Sequence, residues 1–478
     1  MHVEHIVFLS LVLDLFAFTI PLPLFPRIIE WYTLREGSNP NGFLSLTLRT
    51  VSAVRETFYK PAGNPQKWDI VLLGGLMGSV FSALQWFISP HIGSLSDKYG
   101  RKRILLYTMI GNILSAVVWM QSTSFASYLL SRVIGGLSEG NVQLAIAILS
   151  DVTTPANRSK ALAHVGIAFA ICFCIGPPIG AYFASHPLSS TFGGYELNIY
   201  ATPAFISLIL LTLETVFLIV ALPETRGKGK QIQQEAEKEE EKKTNGTLNG
   251  HMDPREDKPK KLSVEERLVL LGDLKWTHLC FLAVFSGVEF TLTFLTFDLF
   301  DWDNRQNGAL IGTIGVVSAV LQGGYVRRAM SKIGEGKMAR RGVYSCILAL
   351  ICLSILPRFV STRTSLAVNL LRAACVCLAF TSATVVNSLT AYASLQCDDA
   401  GVDPDTGKVI EEHPELTKGK ALGSFRSFGQ FGRAVGPLIA CGLYWTFGPS
   451  ATYATCAVAM YVVSWGMIRI ASIKPVAA

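Results

Sequence analysis

Long apolar runs separated by short polar turns dominate the chain. A membrane-spanning helix needs about 20 consecutive, mostly apolar residues. Runs of that kind fall near 5–29, 70–91, 103–121, 125–150, 160–185 and 200–222, then near 276–299, 306–327, 341–357, 364–393, 419–446 and 450–471. The pattern predicts an all-α integral membrane protein with twelve spans in two six-helix halves, 1–222 and 276–478. Between them, 223–275 reads LPETRGKGK, then QEAEKEEEKK, then a Pro- and Lys-rich stretch. Blocks of opposite charge with almost no aromatic residues bury too little surface to fold, so this linker is expected to be mostly disordered. A short amphipathic helix over 264–274 is expected to lie on the membrane surface before the seventh span. In the loop 30–69 only a helical patch around 44–58 stands out.

The two halves repeat one another. Lys160, Ala161, Leu162, Gly176, Pro177 and Ile179 return as Lys420, Ala421, Leu422, Gly436, Pro437 and Ile439, each shifted by 260. Arg132 and Arg372, shifted by 240, relate the fourth and tenth spans, and the extra 20 residues match a polar insertion around 397–417. Asp14 and Glu289 open the similar stretches DLFAFTIPLPLF and EFTLTFLTFDLF. Related halves imply pseudo-symmetry, with a binding site at their interface.

Composition narrows the class further. Half of the residues are hydrophobic and 16% are charged, against about 25% in soluble domains, so a soluble fold is excluded. The net charge of +7 is no nucleic-acid footprint, because the bases sit in short loops between spans and in the linker. Loops after the second, fourth and eighth spans carry Lys98, Arg101, Lys102 and Arg103, then Arg158 and Lys160, then Arg327, Arg328, Lys332, Lys337, Arg340 and Arg341. Those after the third, fifth and eleventh carry none, which predicts cytoplasmic termini and a cytoplasmic linker. The sequons at Asn157 and Asn245 then face the cytoplasm and stay unglycosylated. The first apolar run is too long for a cleaved signal and carries Asp14, so it reads as a permanent helix. The ten cysteines are scattered with no CxxC pair, and no spacing suggests zinc or a disulfide framework. No cofactor or metal is called for, and no nucleophile and base suggest an enzyme.

The stretch 93–103, GSLSDKYGRKR, packs one acid, several bases, Gly93 and Gly100 into a turn between two spans. Its pattern, G-x-L-S-D-[RK]-x-G-R-[RK], resembles the signature loop between the second and third helices of the major facilitator superfamily of secondary transporters. That resemblance sets Asp97 against the N-terminal end of the eleventh helix and Arg101 against an acid at the end of the fourth, here Asp151. These groups would form a latch closing the cytoplasmic side in one of two states, and a helix N-terminus does favour a carboxylate. The second-half counterpart, GYVRRAMSKIGEGK, lacks the Asp, so a weaker latch is expected there.

Ionisable groups inside spans are costly and mark substrate or ion paths. Asp14 lies about nine residues into the first run, or roughly 14 Å deep at 1.5 Å per residue, and Glu289 sits near the middle of the seventh. A carboxyl group partly withdrawn from water there is suited to exchanging a proton near neutral pH. The fourth span carries SRVIGGLSEGN, in which Arg132 and Glu139 stand seven apart on one helix face. Such an Arg could hold a carboxylate of another helix ionised; Glu139 is either a proton-coupling group or Arg132's structural partner. Glu214 reads as structural. The R-x-x-G-G arrangement resembles the fourth-helix motif of proton-coupled drug exporters, which implies a proton-transfer role for Arg132. GIAFAICFCIGPPIG resembles the antiporter motif of the fifth helix, carried here by Gly176, Pro177 and Gly180 and repeated by Gly436 and Pro437. Arg426 and Arg433 lie deep in the eleventh span; Arg433 either pairs with Asp14 or Glu289 or offers a bidentate site to an anion. With Arg372 and Asn141 they complete the candidate substrate cavity.

The resemblance covers nearly the whole chain and is nearest to the twelve-helix drug:proton antiporter branch, among its tetracycline-transporter-like animal members. It implies a monomeric secondary transporter that exchanges small amphipathic organic compounds for protons by alternating access in the lipid bilayer. Two other readings stay open: an organic-anion exchanger or facilitator without proton coupling, in which Arg132, Arg372 and Arg433 bind the substrate, and a transporter-shaped sensor that signals through the linker.

Overall fold

Proline decides where the first span stops. The run expected over 5–29 is divided: a helix covers Val3–Thr19, Pro21 follows just after its end, and a second helix, Phe25–Glu36, starts with a proline in its first turn. Proline lacks the N–H that an inner helical turn needs but is tolerated in a first turn. The computed structural model describes residues 2–21, 24–58, 65–184, 191–192, 195–198, 200–227, 262–302, 304–397 and 413–472. Among them the chain is helical apart from its turns and one hairpin that pairs Thr191–Phe192 with Tyr195–Glu196.

Ten of the described helices are long and apolar enough to cross a membrane. Val3–Thr19 adds one, and Lys418–Ser472 is two spans divided at Gly448, whose φ of 79° and ψ of 171° are not helical, which brings the described spans to twelve. The first to sixth spans are Val3–Thr19, Pro65–Tyr99, Arg101–Met120, Phe125–Val152, Pro155–Ala184 and Ala201–Ala221. The seventh to tenth are Val264–Phe300, Gln306–Met330, Glu335–Phe359 and Thr364–Leu395; the eleventh and twelfth are 418–447 and 449–472. Helices are the natural answer here, because in lipid each backbone polar group must be satisfied within its own segment.

The separate surface helix expected over 264–274 is corrected. A capping box, with Ser263 and Glu266 bonding each other's backbone N–H, starts one 37-residue helix that runs unbroken to Phe300. Leu270, Leu271 and Leu274 are buried in the main apolar core, so this stretch packs inward instead of lying on lipid. Residues 228–261 of the linker, Asn245 with them, and 398–412 of the polar insertion lie outside the described residues.

Spans 1–6 and 7–12 meet along two seams, the second span against the eleventh and the fifth against the eighth. The repeat exchanges these two pairs. At one end of the bundle lie Lys98, Arg101, Arg158 and Arg341, and this is the basic end below. At the opposite end, loop 30–69 holds more structure than its sequence pattern suggests. Helices Phe25–Glu36 and Phe43–Phe58 bury Ile28, Ile29, Tyr32, Leu44 and Val51 against Leu72, Met77, Trp119 and Tyr128. The Tyr32 hydroxyl donates to the Ser122 carbonyl at 2.8 Å and accepts from Asn198 Nδ2 at 2.7 Å. Glu36 accepts from the Phe125 N–H at 2.8 Å, at the start of the fourth span. Arg55 binds both carboxylate oxygens of Asp69, at 2.6 and 3.4 Å, which ties this cap to the foot of the second span.

Candidate functional site

At the basic end the turn 93–103 brings the two halves into backbone contact. Gly93 packs on the Gly419 carbonyl so closely that a Cβ at 93 would overlap it. That approach sets the Asp97 carboxylate over the start of the eleventh span, where it accepts from the backbone N–H of Gly419 at 2.9 Å and of Lys420 at 2.7 Å. Gly100, at φ 100°, turns the chain into the third span. Arg101 then reaches Asp97 at 2.7 Å and Asp151 at 2.9 Å. Lys418 closes the cluster from the eleventh span, 3.4 Å from Asp151 and 2.8 Å from the Ser150 carbonyl. These are charge-assisted bonds in largely buried surroundings, the stronger kind.

Three further groups at this end have contacts that the sequence reading did not assign. Glu224, after the sixth span, accepts from the Arg101 and Lys102 N–H groups at 2.8 and 3.2 Å and so caps the third span. Its signal was a lone acid beside a helix start that only the fold brings near. Buried Glu335 takes the place in the second half that Arg101 has in the first, and accepts from Ser159 at the start of the fifth span. A carboxylate therefore faces a helix start on both seams, although the second loop lacks the Asp. Arg158 also crosses between the halves, donating to the Ser394 carbonyl at 3.1 Å.

Above this floor lies a cavity of ≈ 320 Å³ between the halves. Its walls are mainly apolar and aromatic, with Phe18, Phe81, Phe169, Phe173, Phe285 and Phe425 among them. Charge enters from four spans: Asp14 from the first, Glu139 from the fourth, Glu289 from the seventh, and Arg426 and Arg433 from the eleventh. Arg426 is the cation that acts on Asp14 and Glu139, and Arg433 the one that acts on Glu289. Among the described residues neither guanidinium forms a direct ion pair, so both keep their hydrogen-bond donors turned to the cavity.

The fourth span departs from the straight helix that the spacing of Arg132 and Glu139 suggests. Helix Phe125–Ser138 ends with Glu139 in extended backbone, at φ −72° and ψ 94°, and a new helix starts at Asn141. The break turns Glu139 into the cavity. Arg132 does not reach the main cavity: its guanidinium lies 5.8 Å from both the Trp119 and Tyr128 ring centres. It lines a side space of ≈ 60 Å³ within the first half, walled also by Asp14, Glu139, Asn112 and Ser115. Asp14 and Glu139 therefore stand in the wall between the two spaces.

Two candidate cavity residues are corrected. Asn141 is buried outside the cavity lining, where its Nδ2 donates to Asp14 at 2.6 Å and its Oδ1 accepts from Thr108 at 3.2 Å, so it orients the acid. Arg372 is exposed on the tenth span and does not line the cavity; the lining residues of that span start at Ser382, about 15 Å further along. Glu214 is fully buried and accepts from Ser10 at 2.7 Å. Gly176 and Gly180 lie against Thr19 and Ile20 of the first span, and Gly436 against Ala283 and Ser286 of the seventh. The fifth and eleventh helices run on through Pro177 and Pro437. His278 and Gln143 also line the cavity, and no sequence signal marked them.

Comparison with known proteins agrees with this architecture. The mouse major facilitator superfamily domain-containing protein 10 is 31% identical over 463 residues, covering 94% of this chain and 89% of its own. The crystal structure of the human organic anion transporter MFSD10 (TETRAN) superposes with a TM-score of 0.75 at 29% identity, over 97% of this chain and 98% of that one. A class H tetracycline resistance protein of Pasteurella multocida is 32% identical over 106 residues, 22% of this chain and 26% of its own. The Major Facilitator Superfamily profile matches residues 7–402, and with two six-span sets around a charged central cavity the chain belongs to that superfamily.

Proposed function

We propose that the protein is a secondary transporter of small amphipathic organic anions, coupled to protons and working by alternating access. The observation that carries this reading is the pair of guanidinium groups, Arg426 and Arg433, in an aromatic cavity that also holds three carboxyl groups, Asp14, Glu139 and Glu289. The apolar walls accept the body of the substrate and a guanidinium takes its anionic group. The description of the human relative as an organic anion transporter supports the same substrate class. The basic end faces the cytoplasm, as do both termini, and Asp97, Arg101 and Asp151 latch it shut in this state. The halves 1–222 and 276–478 rock about the two seams.

Charge balance links substrate to coupling sense. An anion competes with Asp14 and Glu139 for Arg426, and a carboxylate that loses its facing cation in a dry cavity binds a proton instead. Anion and proton then travel together. A cationic substrate would compete with the proton for the same carboxyl groups and be exchanged for it. This second reading, proton antiport, is favoured by the number of acids in the cavity.

The protein reconstituted into liposomes with an imposed pH gradient separates these cases, using fluorescein as anion and ethidium as cation. Fluorescein moving in the direction of proton flow, and losing its dependence on the gradient in Asp14→Asn, supports anion–proton cotransport. Ethidium moving against proton flow supports antiport. Anion flux indifferent to the gradient would leave an uncoupled carrier, and no flux of either would refute transport of these classes.

A further inference from the structure

Two carboxamides open into the cavity with no protein group to bond them. Gln430 stands on the eleventh span four residues after Arg426 and three before Arg433, a spacing that sets all three on one helix face. At 1.5 Å per residue it lies about 6 Å from Arg426 and about 4.5 Å from Arg433 along the axis. All three line the cavity, and Gln430 is half-buried there. Gln85 lines it from the second span. Ser427 donates to the Trp86 carbonyl at 2.6 Å, and the Trp86 and Phe431 ring centroids are 4.9 Å apart. The second span therefore meets the eleventh across 427–431, which brings Gln85 of one half and Gln430 of the other to a similar level. Among the described residues neither side-chain amide has a hydrogen-bond partner, and none of its polar atoms is sealed from the cavity. Gln143 Oε1 and His278 Nε2, which also lack partners, are sealed from it.

A guanidinium has donors only, and an ionised carboxylate acceptors only, whereas a carboxamide has both. An anionic group held by Arg426 or Arg433 thus answers the arginine and at most the N–H groups of Gln430, and leaves the carboxamide oxygens without a donor. A ligand that expels water from this part of the cavity has to bring a neutral group with its own donor and acceptor. A secondary amide does so in the form that two carboxamides on different spans require, because its N–H and C=O point in opposite directions.

We infer that Gln85 and Gln430 form a carboxamide clamp beside the arginines that selects organic anions carrying a secondary amide next to the anionic group, as in N-acyl amino acids. The inference rests on the anion reading above and narrows it to a substrate class. Sites that hydrogen-bond a substrate N–H or O–H discriminate against analogues that lack it.

The test compares N-benzoylglycine with 3-benzoylpropionate as radiolabelled substrates of the full-length protein in liposomes. The second compound replaces the amide N–H by CH2 and keeps the ring, the carbonyl and the carboxylate. The readout is the ratio of their half-saturation concentrations, which the amount of folded protein does not change. In the wild type N-benzoylglycine should be favoured by roughly 10-fold, since its analogue leaves a carboxamide oxygen without a donor. Gln430→Leu and Gln85→Leu, on different spans, should each narrow the ratio, and the double variant should bring it to within about twofold of unity. Should one single variant fail to fold, the other still reads the clamp. Equal half-saturation of the two compounds in the wild type, or a preference that survives both single substitutions, would overturn the clamp while leaving anion transport standing. Uptake of neither compound by the wild type would overturn the clamp and the anion reading together.

Discussion

Asp97→Asn removes one charge from the contact that joins the two halves at the basic end, the latch proposed above. In the structure that carboxylate accepts from two backbone N–H groups of the eleventh span, at 2.9 and 2.7 Å, and pairs with buried Arg101 at 2.7 Å. A hydrogen bond to a charged group contributes about 1.5–3 kcal/mol, and a helix start adds about 0.3–1 kcal/mol for a nearby anion. Asparagine keeps one acceptor, and the Asp97 side chain is 17% exposed, so only part of that sum is lost. A net loss of about 2–3 kcal/mol corresponds to a shift of roughly 30- to 150-fold in the equilibrium between the form closed at this end and the open form. Spin labels at the exposed Lys160 and Lys332, close to the Ser159–Glu335 contact, report that equilibrium as a distance distribution. In detergent or nanodiscs the ratio of longer- to shorter-distance populations should grow in Asp97→Asn by that factor. A change below threefold, in a wild type that itself samples both distances, would refute the assignment of the latch to Asp97.

Three other outcomes are expected. Gly93→Val places side-chain atoms on the Gly419 carbonyl and should open the basic end through overpacking worth about 1–3 kcal/mol, read with the same spin labels. Asp69→Asn should release helix Phe43–Phe58, since Arg55 is buried and loses its bidentate partner; faster proteolysis within 43–58, with the spans intact, checks it. Lys420 holds the Glu415 carboxyl below its ordinary value of 4.5 through a 2.6 Å bond. The stabilisation is therefore present above pH 4.5 and fades as pH falls through the lowered value. The pair is exposed, so Glu415→Gln should cost at most about 0.5 kcal/mol at pH 7 and nothing once the carboxyl is protonated, measured as melting temperature against pH.

The spans were legible because lipid forces one-dimensional patterns: each crossing needs its own apolar run, and each charge inside a run stands out. Asp14, Glu289, Arg426 and Arg433 are visible on that ground, and all four line the cavity. What stayed hidden depends on contacts between segments far apart in sequence. Nothing local tells that Asn141 serves Asp14 across 127 positions, or that Glu335 meets Ser159 across 176. The repeat relates Arg372 to Arg132, yet neither lines the main cavity, because repeat position fixes a helix face and not its depth. Of the two cap helices the sequence marked only the patch around 44–58; Phe25–Glu36 escaped because an amphipathic segment that covers a bundle end shows no long apolar run of its own. His278 lies in a strongly apolar stretch where a single imidazole changes the pattern little.

The two cavity arginines differ in a way that separates coupling from binding. Arg426 acts on Asp14 and Glu139, which belong to the other half of the protein, whereas Arg433 acts on Glu289 of its own half. When the halves rock, the first set of distances changes and the second does not. Opposite unit charges about 10 Å apart at an effective dielectric constant of about 20 attract by roughly 1.7 kcal/mol. Losing the attraction that Arg426 supplies across the interface should therefore move the closed–open equilibrium by roughly 15-fold. Losing that of Arg433 should move it very little. With spin labels at Lys160 and Lys332, Arg426→Gln is expected to shift the populations and Arg433→Gln to leave them within about twofold of wild type, while both weaken anion binding. Equal shifts in the two variants would mean that cavity charge is not divided between the halves as the mechanism requires, and that coupling resides in the latch at the basic end.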